Sequence, residues 1–453
     1  MFSSTLIHGL DILKRCTAST KPFLHRLGWM LAGEGVARVT RLLTAIVLSQ
    51  YLSAFEFGIA AIVLSVDEML KVLTRNGVGQ KIIQCDEAQL NSVCHRVYQV
   101  NWILHIGLFC LQLVIAKPLA MAFNFPELQY LLLSLGVTYL IYPFAMVQVN
   151  LVQRQQDMKK TGSIFAAQVG TDNVLCAVFA LCGMGIWSIV IPKLIVAPIW
   201  VLLYRKSHDW RFSRSEGKCA LTDITEYSVS VFWVELLKTS RQHLDRFLIG
   251  FLIGVEGLGI YYFAVNAGSG FTIALIKAFT TVTMPDLCNR ARNVACHESL
   301  VSCDWYKLYL SAMTRFFFIV VPVVLLQLFM APVYVPVIFG QHWDMATPIL
   351  MVLCAAALSQ GFVDVGAQVF RASGKTRQDI LINLMSTMTF FAAIGVGYWL
   401  APLADTRLFY IAVAILMNTI IFAIGHFFLV KKIMTKPVER LVSHSSIFKQ
   451  LDA

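Results

Sequence analysis

The sequence predicts an all-α, polytopic membrane protein of about 12 transmembrane helices. Three observations carry that expectation. First, of 453 residues 57% are hydrophobic and only 14% charged, with a mean hydropathy of +0.68. A soluble chain of this length needs far more charge to cover its surface. Second, apolar runs of about 20 residues, the length that crosses hydrocarbon as a helix, recur from end to end. The short apolar/polar alternation of a membrane β-barrel is missing. Third, the basic residues are segregated between the two sets of loops that such a chain would have.

The apolar runs fall between basic or Pro/Gly-rich breaks. The first six are Leu27–Leu52, Phe55–Leu73, Val97–Ala116, Leu128–Leu151, Thr161–Cys182 and Ile186–Tyr204. The second six are Ile224–Gly250, Leu258–Met284, Tyr306–Met330, Thr347–Phe370, Ile380–Leu400 and Leu408–Val430. Residues 1–26 mix charged and apolar side chains and carry no signal-peptide core, so they read as a cytoplasmic leader. Residues 433–453 read as a cytoplasmic tail.

An even number of spans puts both termini and every second loop on one side. That set holds basic clusters such as Arg75, Lys81 and Arg96, then Arg154, Lys159 and Lys160, then Arg205, Lys206 and Arg211, and finally Lys431 and Lys432. The opposite loops carry only Lys117 and Arg407. The basic set is therefore cytoplasmic, with both ends inside. The same asymmetry accounts for most of the +11 net charge, so no nucleic-acid partner is needed.

No metal or cofactor is expected. The 11 cysteines form no CxxC pair. The tightest group, Cys288, Cys296, His297 and Cys303 in one basic loop, fits no structural zinc spacing.

The halves echo each other. Ala37–Arg41 (ARVTR) and Leu48–Ala60 (LSQYLSAFEFGIA) reappear about 200 residues later as Leu237–Arg241 (LKTSR) and Leu248–Tyr261 (LIGFLIGVEGLGIY). After a one-residue slip, Phe57-Gly58-Ile59 aligns with Leu258-Gly259-Ile260. Val152–Lys160 likewise faces Val369–Arg377. These echoes predict a bundle over 27–205, a linker over 206–221 and a second bundle over 222–432.

Charges inside the spans mark candidate sites, because a charge at mid-bilayer costs several kcal/mol unless it faces water or a partner. Glu34, Arg38 and Arg41 share one face of the first span. Glu235, Lys238, Gln242 and Asp245 share one face of the seventh, with Arg241 beside them. Arg38 sits about 16 Å from the cytoplasmic edge, near the midplane. Two basic clusters at one depth, one per half, are what an anionic ligand in a pseudo-symmetric cavity requires, and arginine's fork of donors matches phosphate oxygens. The rival reading is a set of neutralised ion pairs, Glu34 with Arg38, Glu235 with Lys238 and Arg241 with Asp245. Asp67, Lys71 and Arg75 line the cytoplasmic end of the second span. Lys277, Arg315, Lys193, Asp172 and Asp364 stand as isolated charges. Gly250 and Gly254 form a GxxxG pair of the kind that packs helices closely.

Several stretches resemble one family. They are Leu244–Ala264 (LDRFLIGFLIGVEGLGIYYFA), Val337–Leu350 (VIFGQHWDMATPIL), Phe370–Arg377 (FRASGKTR) and Leu48–Val63 (LSQYLSAFEFGIAAIV). The chain is similar, from Leu27 to about Lys432, to the Wzx-type polysaccharide flippases of the multidrug/oligosaccharidyl-lipid/polysaccharide (MOP) exporter superfamily. The resemblance implies two six-helix bundles around a central cavity lined by the first two helices of each. It implies a non-enzymatic flippase that moves undecaprenyl-pyrophosphate-linked oligosaccharide between leaflets. Membrane lipids, a polysaccharide polymerase and a chain-length regulator would then be its partners. It puts Arg38, Arg41, Lys238, Arg241 and Lys277 where the diphosphate would sit, and leaves Glu34, Glu235, Asp245, Asp172 and Asp364 as coupling or ion-pair acids.

A cation-coupled multidrug antiporter of the same superfamily is the alternative, but cationic drugs favour acidic walls. A major-facilitator carrier would show a Gly/Asp/Arg-rich loop where this chain has Arg75–Ile83 (RNGVGQKII). A polymerase or ligase would need a large outer loop, and no catalytic triad, HExxH or phosphate-binding loop is present.

Overall fold

The computed structural model describes residues 35–72, 74, 79, 82, 85, 87–155, 157–212, 243–297, 305–373 and 375–434. Helices are α1 (residues 35–51), α2 (Ala54–Val72), α3 (Glu87–Ala122), α4 (Glu127–Ile141), α5 (Met146–Arg154), α6 (Met158–Leu181) and α7 (Trp187–Ser207). They continue as α8 (residues 243–253), α9 (Val255–Ala264), α10 (Gly270–His297), α11 (Trp305–Tyr334), α12 (Thr347–Ala372), α13 (Thr376–Leu400) and α14 (Arg407–Met434). No strand occurs among the described residues. Among them, eight helical stretches are long and apolar enough to cross a membrane, or nine if the bent pair α4–α5 counts as one. The expected first and seventh spans lie partly, and the tail beyond residue 434, outside the described residues.

Local chemistry sets several helix ends. Ser53 and Glu56 form a reciprocal cap at the start of α2: the Ser53 backbone N–H and hydroxyl both donate to Glu56 Oε2 (2.8 and 2.9 Å), and the Glu56 N–H donates to Ser53 Oγ (3.3 Å). Asp157 caps α6 by accepting the Lys160 N–H at 3.0 Å.

Three expectations are corrected here. The stretch Leu128–Leu151 is not one straight span: α4 passes through a 3₁₀ turn, Tyr142–Phe144, and α5 leaves at 50°. Pro143 lies in that turn, and its missing N–H is one cause of such a break. The basic stretch around Cys288 and Cys296 is helical rather than a loop, because α10 runs through His297. Gly254 does not serve close packing. It adopts a left-handed φ of +95° and breaks the helix between α8 and α9, while Gly250 is buried against Phe123 and Leu258. Further on, Val265–Ser269, which includes Gly268, forms a π-helical turn.

The described chain separates into two compact units, one ending at Gly259 and one beginning at Ile260. In the first, α3 packs on α4, α6 on α7, and α4 on α7 and α2. Its core includes Ile82, Val93, Val97, Val147 and Leu151, with a second cluster of Ala145, Val152, Ile164, Val201 and Tyr204. After α7 the chain folds back onto α3: Phe212 stacks on Tyr98 (4.9 Å), Trp210 Nε1 donates to Asn91, and Gln148 donates to the Trp210 carbonyl. In the second unit α12 is central, packed by α10, α11 and α14 around Phe316, Val320, Val365, Val369 and Phe370.

Candidate functional site

Helix α1 is tied down on one side. Asn173 of α6 donates its side-chain amide to Thr40 Oγ1 (3.0 Å), and its carbonyl accepts from Thr44 Oγ1 (2.9 Å). Ala37 and Thr44 are buried on that side. This leaves Arg38 and Arg41 exposed on the rest of the helix, and neither has an acidic partner among the described residues. A guanidinium so placed is available to an anionic ligand, with donors set for two phosphate oxygens. Their expected counterparts Glu34, Glu235, Lys238 and Arg241 lie outside the described residues. Asp245 is partly buried on α8, where it accepts the Arg246 N–H at 2.8 Å; Arg246 in turn reaches Ser65 Oγ on α2 at 3.1 Å. Lys277 is exposed on α10, in the second unit.

Three of the charges expected to stand alone are paired. Lys193 of α7 meets Asp172 of α6 at 2.9 Å. Arg315 of α11 meets Asp286 of α10 at 2.7 Å. Asp364 accepts from Gln360 at 3.1 Å. The reason is geometric: an isolated charge along one helix can have its partner on the next, and a desolvated charge needs one.

The most developed polar cluster lies inside the first unit. Asp67 is 2% exposed. One of its oxygens contacts Lys71 Nζ at 2.6 Å and the other accepts from the Tyr139 hydroxyl at 3.0 Å. Tyr142 lies within electrostatic reach of both this pair and Asp172–Lys193, with the Lys71 ammonium 6.0 Å from its ring centroid. Four helices and the 3₁₀ turn thus meet around two charge pairs, and Asp172 Oδ1 is buried without a hydrogen-bond partner. Asp67 was legible as one of a row of charges, but Tyr139 carried no signal, since a tyrosine in an apolar run reads as core. Of the asparagines within the apolar runs, Asn173 holds helices together and Asn266 donates to the Tyr262 carbonyl of its own turn. Among the described residues no group of three or more metal-ligating side chains occurs.

Among the described residues, eight or nine helical stretches are long and apolar enough to cross a membrane, and the chain shares its fold with solved polytopic transporters. It superposes on the lipid II flippase MurJ in an inward closed conformation with a TM-score of 0.71, covering 89% of this chain and 87% of that one at 11% identity. It superposes on an inward-facing multidrug-resistance MATE transporter of the MOP superfamily with a TM-score of 0.69, covering 92% and 96% at 16% identity. More particularly, the chain belongs to the polysaccharide biosynthesis protein family, whose profile matches residues 47–348.

Two relatives bear this out. The teichuronic acid biosynthesis protein TuaB of Bacillus subtilis is 23% identical over 71% of this chain, and the match spans 66% of TuaB. The lipopolysaccharide biosynthesis protein WzxC of Escherichia coli is 21% identical over 89% of this chain and 79% of its own.

Proposed function

We propose that this protein is a flippase. It moves an undecaprenyl-pyrophosphate-linked oligosaccharide from the cytoplasmic to the outer leaflet of the inner membrane, for surface polysaccharide assembly. Alternating access between two bundles drives the exchange, with both termini cytoplasmic. The observation that carries the reading is the exposure of Arg38 and Arg41, without an acidic partner among the described residues, on a first helix otherwise anchored by Asn173. In a family named for polysaccharide biosynthesis, a basic face at mid-bilayer depth, without an acidic partner among the described residues, is supported best as a seat for a diphosphate. The echoed Lys238 and Arg241, with Lys277, would complete it from the second half, while the lipid tail stays in the bilayer. The emerging product would be handed to a polymerase and its chain-length regulator. The acids Asp172 and Asp67 are neutralised by lysines, so they serve the fold first and carry coupling only if a pair opens.

The test is made in the native host with the gene deleted. Loss of surface polysaccharide together with accumulation of complete lipid-linked units facing the cytoplasm is the expected result. An unchanged polysaccharide profile, in a strain with no second flippase, would move the assignment to a cation-coupled antiporter.

A further inference from the structure

The sequence repeat and the packing of the first unit converge on one contact. With the one-residue slip, Gly58 is the repeat equivalent of Gly259, and Ala54 of Val255. In the structure these four residues meet reciprocally. A methyl group added to Gly58 would fall on the carbonyl oxygen of Val255, and one added to Gly259 would fall on the carbonyl oxygen of Ala54. Both glycines are buried. Each helix thus presents its glycine to the carbonyl that the other helix carries four residues earlier. Residue i touches j' while i' touches j, the signature of a contact across a two-fold axis. Only hydrogen in place of a side chain allows backbones this close, so no other residue serves at either position.

We infer that this crossing of α2 and α9 is the outer seal of the transport path, with Gly58 and Gly259 as the positioning residues that let it close. Three observations support this. The crossing sits at the first turns of both helices, directly after the breaks at Leu52–Ser53 and Gly254. By the distribution of basic residues these breaks face away from the cytoplasm. The closest approach is backbone to backbone, glycine against carbonyl oxygen on both sides, so the contact exists only while the two helices keep this separation. Aromatic rings flank it within the same unit: Phe123 stacks on Phe251 at 4.6 Å, and Phe125 meets Phe55 edge-on at 5.3 Å. Rings at these places shield a backbone contact from water when it is closed. The inference rests on the flippase reading for what passes the seal, but not for whether the seal opens.

The experiment uses the full chain in its native membrane, in a version with the native cysteines replaced by alanine that still exports polysaccharide. Phe123→Cys with Phe251→Cys, bridged by a short bifunctional thiol reagent, holds the seal shut. Export is expected to stop and to return on reductive cleavage of the bridge. Gly58→Ala and Gly259→Ala hold it apart. Each is expected to lower export at least about ten-fold, and to raise labelling of Ala54→Cys by a membrane-impermeant thiol reagent several-fold. Gly107→Ala, at a site with no atom within 4 Å, serves as the control and leaves both unchanged. Cross-linked protein that exports normally would overturn the seal, as would Gly58→Ala and Gly259→Ala with wild-type export and labelling. If the glycine variants fail to accumulate, the cross-link decides alone. If gene deletion leaves polysaccharide intact, the flippase reading fails while the labelling comparison still tests the seal.

Discussion

The hydroxyl of Tyr139 donates a 3.0 Å hydrogen bond to the buried carboxylate of Asp67, joining α4 to α2 across 72 residues of sequence. It also lies 3.2 Å from the Asp67 backbone carbonyl. Lys71, one turn further along α2, satisfies the other carboxylate oxygen. The arrangement fixes the rotation of α2 against the rest of its unit, and it makes the charges of α2 interdependent.

Tyr139→Phe should therefore destabilise the protein by about 1.5–3 kcal/mol, the range for a hydrogen bond to a charged group. Asp67→Leu should cost more, about 3 kcal/mol or above, because it leaves Lys71 partly buried and unpaired. Adding Lys71→Met to Asp67→Leu should recover most of that loss. Thermal unfolding in detergent measures all three; equal losses in the single and double variants would show that the pair is not coupled.

The pair Asp172–Lys193 makes a second case. Asp172 Oδ1 already lacks a partner, so Lys193→Met leaves a carboxylate with neither charge nor hydrogen bond. The amount of protein in the membrane should drop sharply, and exchanging the residues, Asp172→Lys with Lys193→Asp, should restore part of it. A coupling energy of about 1–3 kcal/mol is expected from the double-mutant cycle.

Arg38→Ala and Arg41→Ala belong to the opposite class. Both side chains are exposed without an acid among the described residues, so stability should change by no more than about 0.5 kcal/mol. Transport should fall severely in each, and Arg→Lys should restore only part of it, since an ammonium lacks the planar fork. Surface polysaccharide per unit of membrane-inserted protein is the readout. Full transport in Arg41→Ala, together with Arg241→Ala, would remove the diphosphate seat.

At the start of α6, Asp157 accepts the Lys160 N–H, and that hydrogen bond holds its carboxyl below the usual carboxylate range. A folded-state pKa lower than the unfolded one means that the stabilisation is complete above the ordinary value. It is lost as the pH falls through the depressed one. Asp157→Ala should thus cost about 1 kcal/mol at neutral pH. The gap between variant and wild type should close below about pH 4, as melting curves across pH would register.

Much of this was legible in the residues themselves. Composition and the spacing of apolar runs are enough for an all-helical membrane chain, because hydrocarbon leaves a backbone few ways to satisfy its hydrogen bonds. The cap at Ser53–Glu56 and the buried pair Asp67–Lys71 both follow spacings that one helix turn brings together. The repeat that aligns Gly58 with Gly259 was also visible, although its meaning was not.

What was hidden is of one kind. Asp172 and Lys193 read as isolated charges, yet they lie on helices joined by a short turn, nine residues before the end of α6 and six after the start of α7. Tyr139 offered nothing to distinguish it from its apolar neighbours. The bend at Tyr142–Phe144 was hidden inside a run apolar enough to pass as one span.

By itself, then, the sequence determined that the chain is helical, where its apolar runs lie, and which face of a helix carries charge, although α3 begins ten residues before its run and α10 ends thirteen after its own. Only the tertiary structure decided which charges are neutralised and which are left exposed, and that two echoed glycines meet. Periodicity records how a helix divides its own surface. The rotation and depth at which neighbouring helices pack decide which side chains meet, and those follow from contacts between residues far apart in the chain.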